Sequence, residues 1–285
     1  MSQHDIPNEA SQRRVAVTRV GGDRPEREDF VAVEEPLEIR LGQHANGQMK
    51  HQAVSITMRT PGNDFELAAG FLHTEGIIKS RDQVAEIKYC GRGAALTNTI
   101  RVDLAAGVAV DVKRLERNFY TTSSCGVCGK TSLEALGTGA ARVTAPDGFQ
   151  VSADVIHALP ARLRERQPTF EGTGGLHAAA LFSADGTLLA VREDVGRHNA
   201  VDKLVGAQFL AGTLPAADRI LFLSGRASFE LLQKAVMAGV PVVCAVGAPS
   251  SLAIEAATEF DVTLLGFVRD RRFNVYSSGQ RIRGA

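Results

Sequence analysis

The chain has no excess charge of either sign: 32 lysines and arginines balance 32 aspartates and glutamates. That balance argues against bulk nucleic-acid or membrane-surface binding, although local basic clusters remain compatible with it. A long hydrophobic run is also missing. The longest apolar stretch, around Val240–Val246, is too short to span a bilayer and contains Pro241. Residues 1–14 are polar and charged, with no apolar core of the kind a secretory signal needs. The expected compartment is the cytoplasm, and no membrane or nucleic-acid partner is expected. Tryptophan is absent, which by itself excludes nothing. Cysteine is scarce, with four residues in the chain. In a reducing compartment a close cysteine pair is more readily catalytic or metal-binding than a structural disulfide.

Two of those four cysteines stand together in Ser123-Ser124-Cys125-Gly126-Val127-Cys128-Gly129-Lys130. A thiolate is both a nucleophile and a metal ligand, and its reactivity follows its pKa and exposure. Gly126 and Gly129 keep bulk away from both sulfurs. Thr131-Ser132-Leu133-Glu134 reads as a capping box opening a short helix. The positive end of that helix and the Lys130 ammonium would both favour thiolate over thiol.

A length of 285 residues suits one large domain or two ordinary ones, and 44% hydrophobic with 22% charged residues is a globular composition. Residues 1–14 read as a disordered N-terminus. Short β-type runs follow at Val15–Val20, Phe30–Val33, Leu37–Leu41 and Ala53–Met58, separated by turn-rich segments. A helix begins at Asn63 or Asp64, turns Leu67, Ala68, Phe71 and Leu72 inward, and stops at Gly76. Further strands are expected at Val84–Tyr89, Ile100–Leu104 and Val108–Val112. A Gly/Ala/Pro-rich stretch, Gly137–Gly148, places a boundary near residue 145. The N-terminal domain, 15–145, is thus small, β-rich and α+β, and ends in the cysteine loop.

The C-terminal domain, 146–285, has a clearer rhythm. Ala178–Phe182 and Leu188–Val191 flank a hairpin signal at Ala184-Asp185-Gly186-Thr187, and Val201, Leu204, Val205 and Phe209 form a helical stripe. Strands at Arg219–Leu223, Val240–Val246 and Val262–Val268 then alternate with helices near Ser228–Ala238 and Leu252–Phe260. This βαβ pattern implies an α/β fold with a parallel sheet covered by helices.

In open α/β sheets ligands bind at the carboxyl ends of the strands. Ser224-Gly225-Arg226, Gly247-Ala248-Pro249-Ser250-Ser251 and Arg269-Asp270-Arg271-Arg272 fall there. The first two are small-residue turns into helices, where backbone N–H groups can hold an anion. The third adds three arginines suited to bidentate phosphate contacts. Together they suggest a site for a phosphorylated or nucleotide-like ligand. The plainer alternative is that Ser and Gly only cap helices and the arginines are solvated.

Asp194, Arg197, His198, Asn199, Asp202 and Lys203 crowd one helix start with no obvious folding need, which points to orienting a polar ligand or shuttling protons. Helix capping by His198 or Asn199 is the rival. His177, between Gly174-Gly175 and an apolar run, is as readily structural as functional. A zinc ribbon needs a second ligand pair, and Cys90 and Cys244 stand alone, so no metal site within one chain is expected. A site shared by two subunits stays open. A thioredoxin-like role fits poorly, because the helix after Cys128 looks short and the βαβ pattern starts only near Arg219.

Taken in order, Ser124–Gly129, Gly174–Ala179, Asp194–Lys203, Ser224–Arg226, Gly239–Pro241, Ala248–Ser251 and Gly266–Arg269 resemble the formate dehydrogenase accessory protein family, FdhD. The resemblance implies a sulfurtransferase. It would take sulfur from a cysteine desulfurase as a persulfide on Cys125, with Cys128 assisting. It would deliver that sulfur to the molybdenum cofactor, a bis-molybdopterin guanine dinucleotide, before the cofactor enters formate dehydrogenase. It also implies that Phe267, Val268, Arg269, Asp270, Arg271 and Arg272 bind that cofactor, and it favours a homodimer. A guanine nucleotide could occupy the same site. The second half is expected to resemble the cytidine deaminase fold. Deaminase chemistry is not expected, because His177 is followed by Ala178 and Ala179 rather than His-x-Glu, and the Cys-x-x-Cys precedes the histidine. A non-catalytic cofactor chaperone and a thiol oxidoreductase are the competing functions.

Overall fold

The computed structural model describes residues 11–21, 26–45, 48–91, 93–108, 110 and 140–284. The cysteine loop with Cys125 and Cys128, and the short helix expected after it, lie outside the described residues.

The fold is mixed α/β. Strands β1 (Gln12–Thr18) and β2 (Glu26–Ala32) form an antiparallel pair. Gln12, Arg13 and Arg14, expected within a disordered terminus, therefore open the first strand, and Ser11 before them is buried. Strands β3 (Glu35–Ala45), β4 (Gln48–Arg59), β5 (Val84–Tyr89) and β6 (Thr99–Leu104) make a four-stranded sheet in the order β4-β3-β6-β5. Helix α1 (Asp64–Thr74) covers one face, where Leu37, Ile39, Leu41, Ile100 and Val102 meet Leu67, Ala68 and Leu72. Val108 and Val110 pack against this core and neither is assigned to a strand; the other residues of the strand expected at Val108–Val112 lie outside the described residues.

The second half begins with β7 (Val151–Ser152), α2 (Ala153–Arg164) and α3 (Pro168–Thr173). A six-stranded sheet follows, built from β8 (His177–Ser183), β9 (Leu188–Asp194), β10 (Arg219–Leu223), β11 (Val242–Ala245), β12 (Thr263–Arg269) and β13 (Arg272–Ser277). Its order is β13-β12-β11-β10-β8-β9. Only β10, β11 and β12 run parallel; β8, β9 and β13 are antiparallel additions, so the sheet is mixed rather than parallel throughout. A last strand, β14 (Ile282–Arg283), pairs with β7.

The strand alternation decides both cores. Leu221 and Leu223 point toward α4 (Arg197–Leu210), α5 (Phe229–Met237) and α6 (Ser251–Glu259). Ile220 and Phe222 point the other way, toward Ile156, Leu159 and Leu163 of α2. The two halves are not independent bodies. Phe209 of α4 sits in the N-terminal core, and Val143 belongs to the C-terminal one. Helices α1 and α4 cross at Gly70 and Gly206, where a Cβ on either glycine would lie 1.8 Å from a backbone carbonyl oxygen of the other helix. Only glycine permits that approach.

Candidate functional site

Strands β10, β11 and β12 end on one edge of the six-stranded sheet, and the antiparallel β8 starts there. The structure therefore brings Ser224–Arg226, Gly247–Ser251 and His177 together. Ser224 N–H donates to the Ala178 carbonyl at 3.0 Å, and Ala178 N–H donates to Ser224 Oγ at 2.8 Å. The two turns are zipped to each other. Gly247 N–H donates to Gly225 O at 2.9 Å, Ala227 N–H to Ala248 O at 3.2 Å and Ser250 N–H to Ala227 O at 3.0 Å. Phe267 N–H extends the seam to Gly247 O at 3.1 Å. A Cβ at Gly247 would lie 3.2 Å from Arg226 Cα, and one at Gly266 would lie 2.9 Å from Pro249, so both glycines let the turns close.

This zipper uses several of the N–H groups that the sequence offered to an anion. Ser250 does what the plainer alternative said: its Oγ accepts from Ala253 N–H at 3.3 Å and caps α6. Ser228 caps α5 without a side-chain hydrogen bond to the helix. Its hydroxyl instead lies 3.5 Å from His198 Nε2.

Side-chain charge surrounds this edge. Arg226 is exposed, and neither it nor Arg197 nor Arg269 has an ion-pair partner among the described residues. Arg269 lies 5.9 Å from the centre of the Phe267 ring. The rest of the arginine stretch forms the tip of the β12–β13 hairpin. Arg269 pairs with Arg272, and Asp270 and Arg271 both have φ of 53°, the sign a type I′ turn needs at its two central residues. Phe267 is also left-handed, φ 54°, at a break in the ladder. Arg271 turns toward Asp154 at 3.8 Å and Arg272 toward Asp270 at 3.8 Å. Both pairs are highly exposed and hold these side chains weakly.

Two histidines face the same edge. His177 is half-buried beside Gly225, and its pKa is lowered by burial and then by the Arg197 charge, with Asp194 opposing. His198 is pushed down to about 4 by burial, then by Lys234 and Arg197, against the pull of Glu230 at 3.9 Å. Both imidazoles are therefore neutral near pH 7 and offer one donor and one acceptor each. For Glu230, burial alone would raise the pKa. Its own N–H, the Ser228 hydroxyl and the nearby cations hold it below the ordinary value.

The polar cluster from Asp194 to Lys203 does have a folding role, contrary to the sequence reading. Lys203 Nζ sits 2.7 Å from Asp194 Oδ2 and donates to Thr60 O at 2.8 Å. Asp194 Oδ1 accepts from Gly196 N–H at 2.8 Å and Asn199 Nδ2 at 3.0 Å. Asn199 Nδ2 also donates to Met58 O at 2.7 Å. Asp202 accepts from Thr74 Oγ1 at 2.8 Å and pairs with Lys234 at 2.9 Å. These four buried residues tie α4 to the N-terminal half. Arg197 and His198 remain at the strand-end edge.

Of the other cysteines, Cys244 is fully buried in β11 and burial raises its thiol pKa, so it serves as a small apolar residue; Cys90 is half-buried. No group of three or more His, Cys, Asp or Glu residues able to hold a metal occurs among the described residues. No described helix is long and apolar enough to cross a membrane.

Sequence reasoning missed a cavity of about 440 Å³ opening beside His177 and Ser224 on the α2 face of the sheet. Part of its wall, Pro160, Leu163, Arg164 and Phe170, comes from α2 and α3, neither of which was expected.

The mixed α/β fold, with its zipped strand-end turns, two histidines and arginines that lack an ion-pair partner among the described residues at one edge, defines a class of α/β proteins. The comparisons make that class specific: the FdhD/NarQ family model matches residues 32–283, and the chain belongs to that family. A sulfur carrier protein FdhD from Mycolicibacterium paratuberculosis is 51% identical over 278 residues, covering 96% of this chain and 99% of the relative. One of the same description from Mycobacterium tuberculosis is 50% identical over 263 residues, with 90% and 92% covered. Another from Sulfurisphaera tokodaii is 42% identical over 271 residues, with 95% and 98% covered. A crystal structure described as a formate dehydrogenase accessory protein, from Desulfotalea psychrophila, superposes with a TM-score of 0.71 at 26% identity. The match covers 95% of this chain and 98% of that one.

Proposed function

We propose that this protein is a sulfur carrier that matures the molybdenum cofactor of a formate dehydrogenase. The observation that carries the reading is the convergence of Ser224–Arg226, Gly247–Ser251, Phe267–Arg269 and two neutral histidines on one sheet edge. A large anionic, nucleotide-bearing cofactor needs cations with room beside them, and this edge has arginines without an ion-pair partner among the described residues next to small-residue turns. Arg197, Arg226 and Arg269 would hold phosphates, and His177 and His198 would give hydrogen bonds without adding charge.

Cys125 would load the sulfur. Its thiolate attacks the terminal sulfur of a persulfide on a cysteine desulfurase; the donor's S–S bond breaks, and the donor cysteine leaves as a thiolate. Cys125 then carries the persulfide. Attack by the Cys128 thiolate on Cys125 Sγ forms a Cys125–Cys128 disulfide and releases the outer sulfur as sulfide for the bound cofactor. A cellular thiol reductant resets the pair.

The test is activation of formate dehydrogenase in cells whose only copy of the carrier is Cys125→Ala. The expected result is an inactive, unsulfurated enzyme, although the variant folds and still binds GDP. An active enzyme from that strain would sink the sulfur-carrier reading. If Cys125→Ala with Cys128→Ala also supports activity, the protein is a cofactor chaperone instead.

A further inference from the structure

The turn Val195-Gly196 joins β9 to α4 and sets the direction in which the helix begins, with Arg197 as its first residue. Much of what anchors this turn crosses over from the N-terminal half. Val195 N–H donates to Thr60 Oγ1 at 3.2 Å, and Thr60 N–H donates to Asp194 Oδ2 at 3.1 Å. At the third position of a helix a polar side chain commonly reaches back to the N–H of the capping residue. Here Asp194 Oδ1 already accepts from Gly196 N–H at 2.8 Å, and the side chain at that position, Asn199, reaches into the other half instead.

Asn199 is buried, and three partners fix its amide. Nδ2 spends both protons, on Met58 O at 2.7 Å and on Asp194 Oδ1 at 3.0 Å, while Oδ1 accepts from Thr57 Oγ1 at 3.1 Å. Turned by half a rotation, the amide would set its own oxygen against a carbonyl and a carboxylate, so one orientation alone satisfies the set. There is little slack around it. A Cβ at Gly196 would lie 3.0 Å from Asn199 Nδ2. The Asp194–Lys203 pair, with Thr60, joins the two halves independently of this amide. Removing the amide therefore frees the start of α4 without dissolving the joint.

We infer that Asn199, aligned by Thr57 and Met58, is a positioning residue that holds the start of α4 so that Arg197 faces the ligand edge. Through it the N-terminal half takes part in binding at an edge built from the strands of the other half. The inference rests on the proposed anionic cofactor and adds a residue that acts on it through Arg197, without contact of its own.

The test is calorimetric titration with GDP of the full-length wild type, Asn199→Ala, Arg197→Gln and the double variant. Asn199→Ala should weaken GDP by about tenfold when Arg197 is present, and by less than about twofold when position 197 is already glutamine. A merely structural role would lower the melting temperature in both backgrounds and leave the two binding losses equal. Thr57→Val keeps the shape of the side chain and removes its hydroxyl, which should weaken GDP by about threefold; Thr57→Ser should bind as the wild type does. Asn199→Ala that binds GDP like the wild type, or loses the same factor with and without Arg197, overturns the positioning role and leaves the cofactor reading standing. Wild-type protein that does not bind GDP overturns both. Should Asn199→Ala fail to fold, Thr57→Val and Thr57→Ser decide, and a Thr57→Val protein with wild-type affinity overturns the inference.

Discussion

Lys203 Nζ lies 2.7 Å from the Asp194 carboxylate, and neither side chain reaches solvent to any useful extent. The pair holds the start of α4 against the Thr60 main chain, whose N–H Asp194 accepts and whose carbonyl Lys203 meets. Both charges are satisfied only because both partners are present. Removing one leaves the other buried and unpaired. Lys203→Met should therefore destabilise the protein by about 3–5 kcal/mol, measured by urea denaturation. An effect below about 1 kcal/mol, the size expected of a surface pair, would contradict the buried clamp.

The crossing of α1 and α4 makes a second demand. A Cβ on Gly206 would lie 1.8 Å from the Glu66 carbonyl oxygen, and backbone cannot move aside as a side chain can. Gly206→Ala should separate the helices and loosen the contact between the halves, despite alanine's better helix propensity. The check is a fall in melting temperature together with faster amide exchange in both helices. A protein stabilised by this substitution would show that the approach is not close.

The protonation of His198 sets a pH dependence. Its folded pKa is about 4, below the ordinary 6.5. The fold thus disfavours the charged ring, while the unfolded chain accepts the proton from about pH 6.5 downward. Stability is complete above 6.5 and is lost as pH falls toward 4. Relative to His198→Gln, the wild type should weaken across that window and match it above pH 7. Two-dimensional NMR should place the His198 midpoint near 4, and a midpoint above 6.5 would contradict the burial argument. GDP binding should raise that midpoint, since phosphate beside the ring favours the charged form.

Among the described residues Arg226 and Arg269 have no carboxylate to hold them, which suits them to an anion. Arg226→Gln and Arg269→Gln should each weaken GDP by about tenfold, the size of a lost charge-assisted hydrogen bond, and flatten the salt dependence of binding. Arg272→Gln, whose side chain sits on the exposed hairpin beside Asp270, should do less. Calorimetry at two salt concentrations separates these outcomes, and equal losses at all three positions would count against the edge as the site.

Much of this fold is legible in one dimension because local signals agree with tertiary need. Arg219–Leu223 is an apolar run that forms a strand with the expected bounds, and Gly239 stops α5 by taking φ of 69°. Helix α2 escapes notice because Pro160 stands inside it and the usual helix-breaking inference follows. Strand β13 escapes because its hairpin turns on Asp270-Arg271, where sequence reasoning looks for Asn-Gly. The strand-end turns were placed correctly, since βαβ topology fixes them at one edge. Their mutual zipper was not legible, and neither was the clamp: Thr60 and Asp194 are 134 residues apart, so a polar cluster with distant buried partners looks like a ligand site. Gly70 and Gly206 likewise read as weak points in helices rather than as the place where two helices touch.

The most direct test of the sulfur-carrier account is to incubate the pure protein with a cysteine desulfurase and cysteine and map added sulfur by peptide mass spectrometry under non-reducing conditions. The account predicts one extra sulfur on Cys125, absent when the desulfurase is omitted. A protein that binds GDP yet gains sulfur on neither Cys125 nor Cys128 would contradict it.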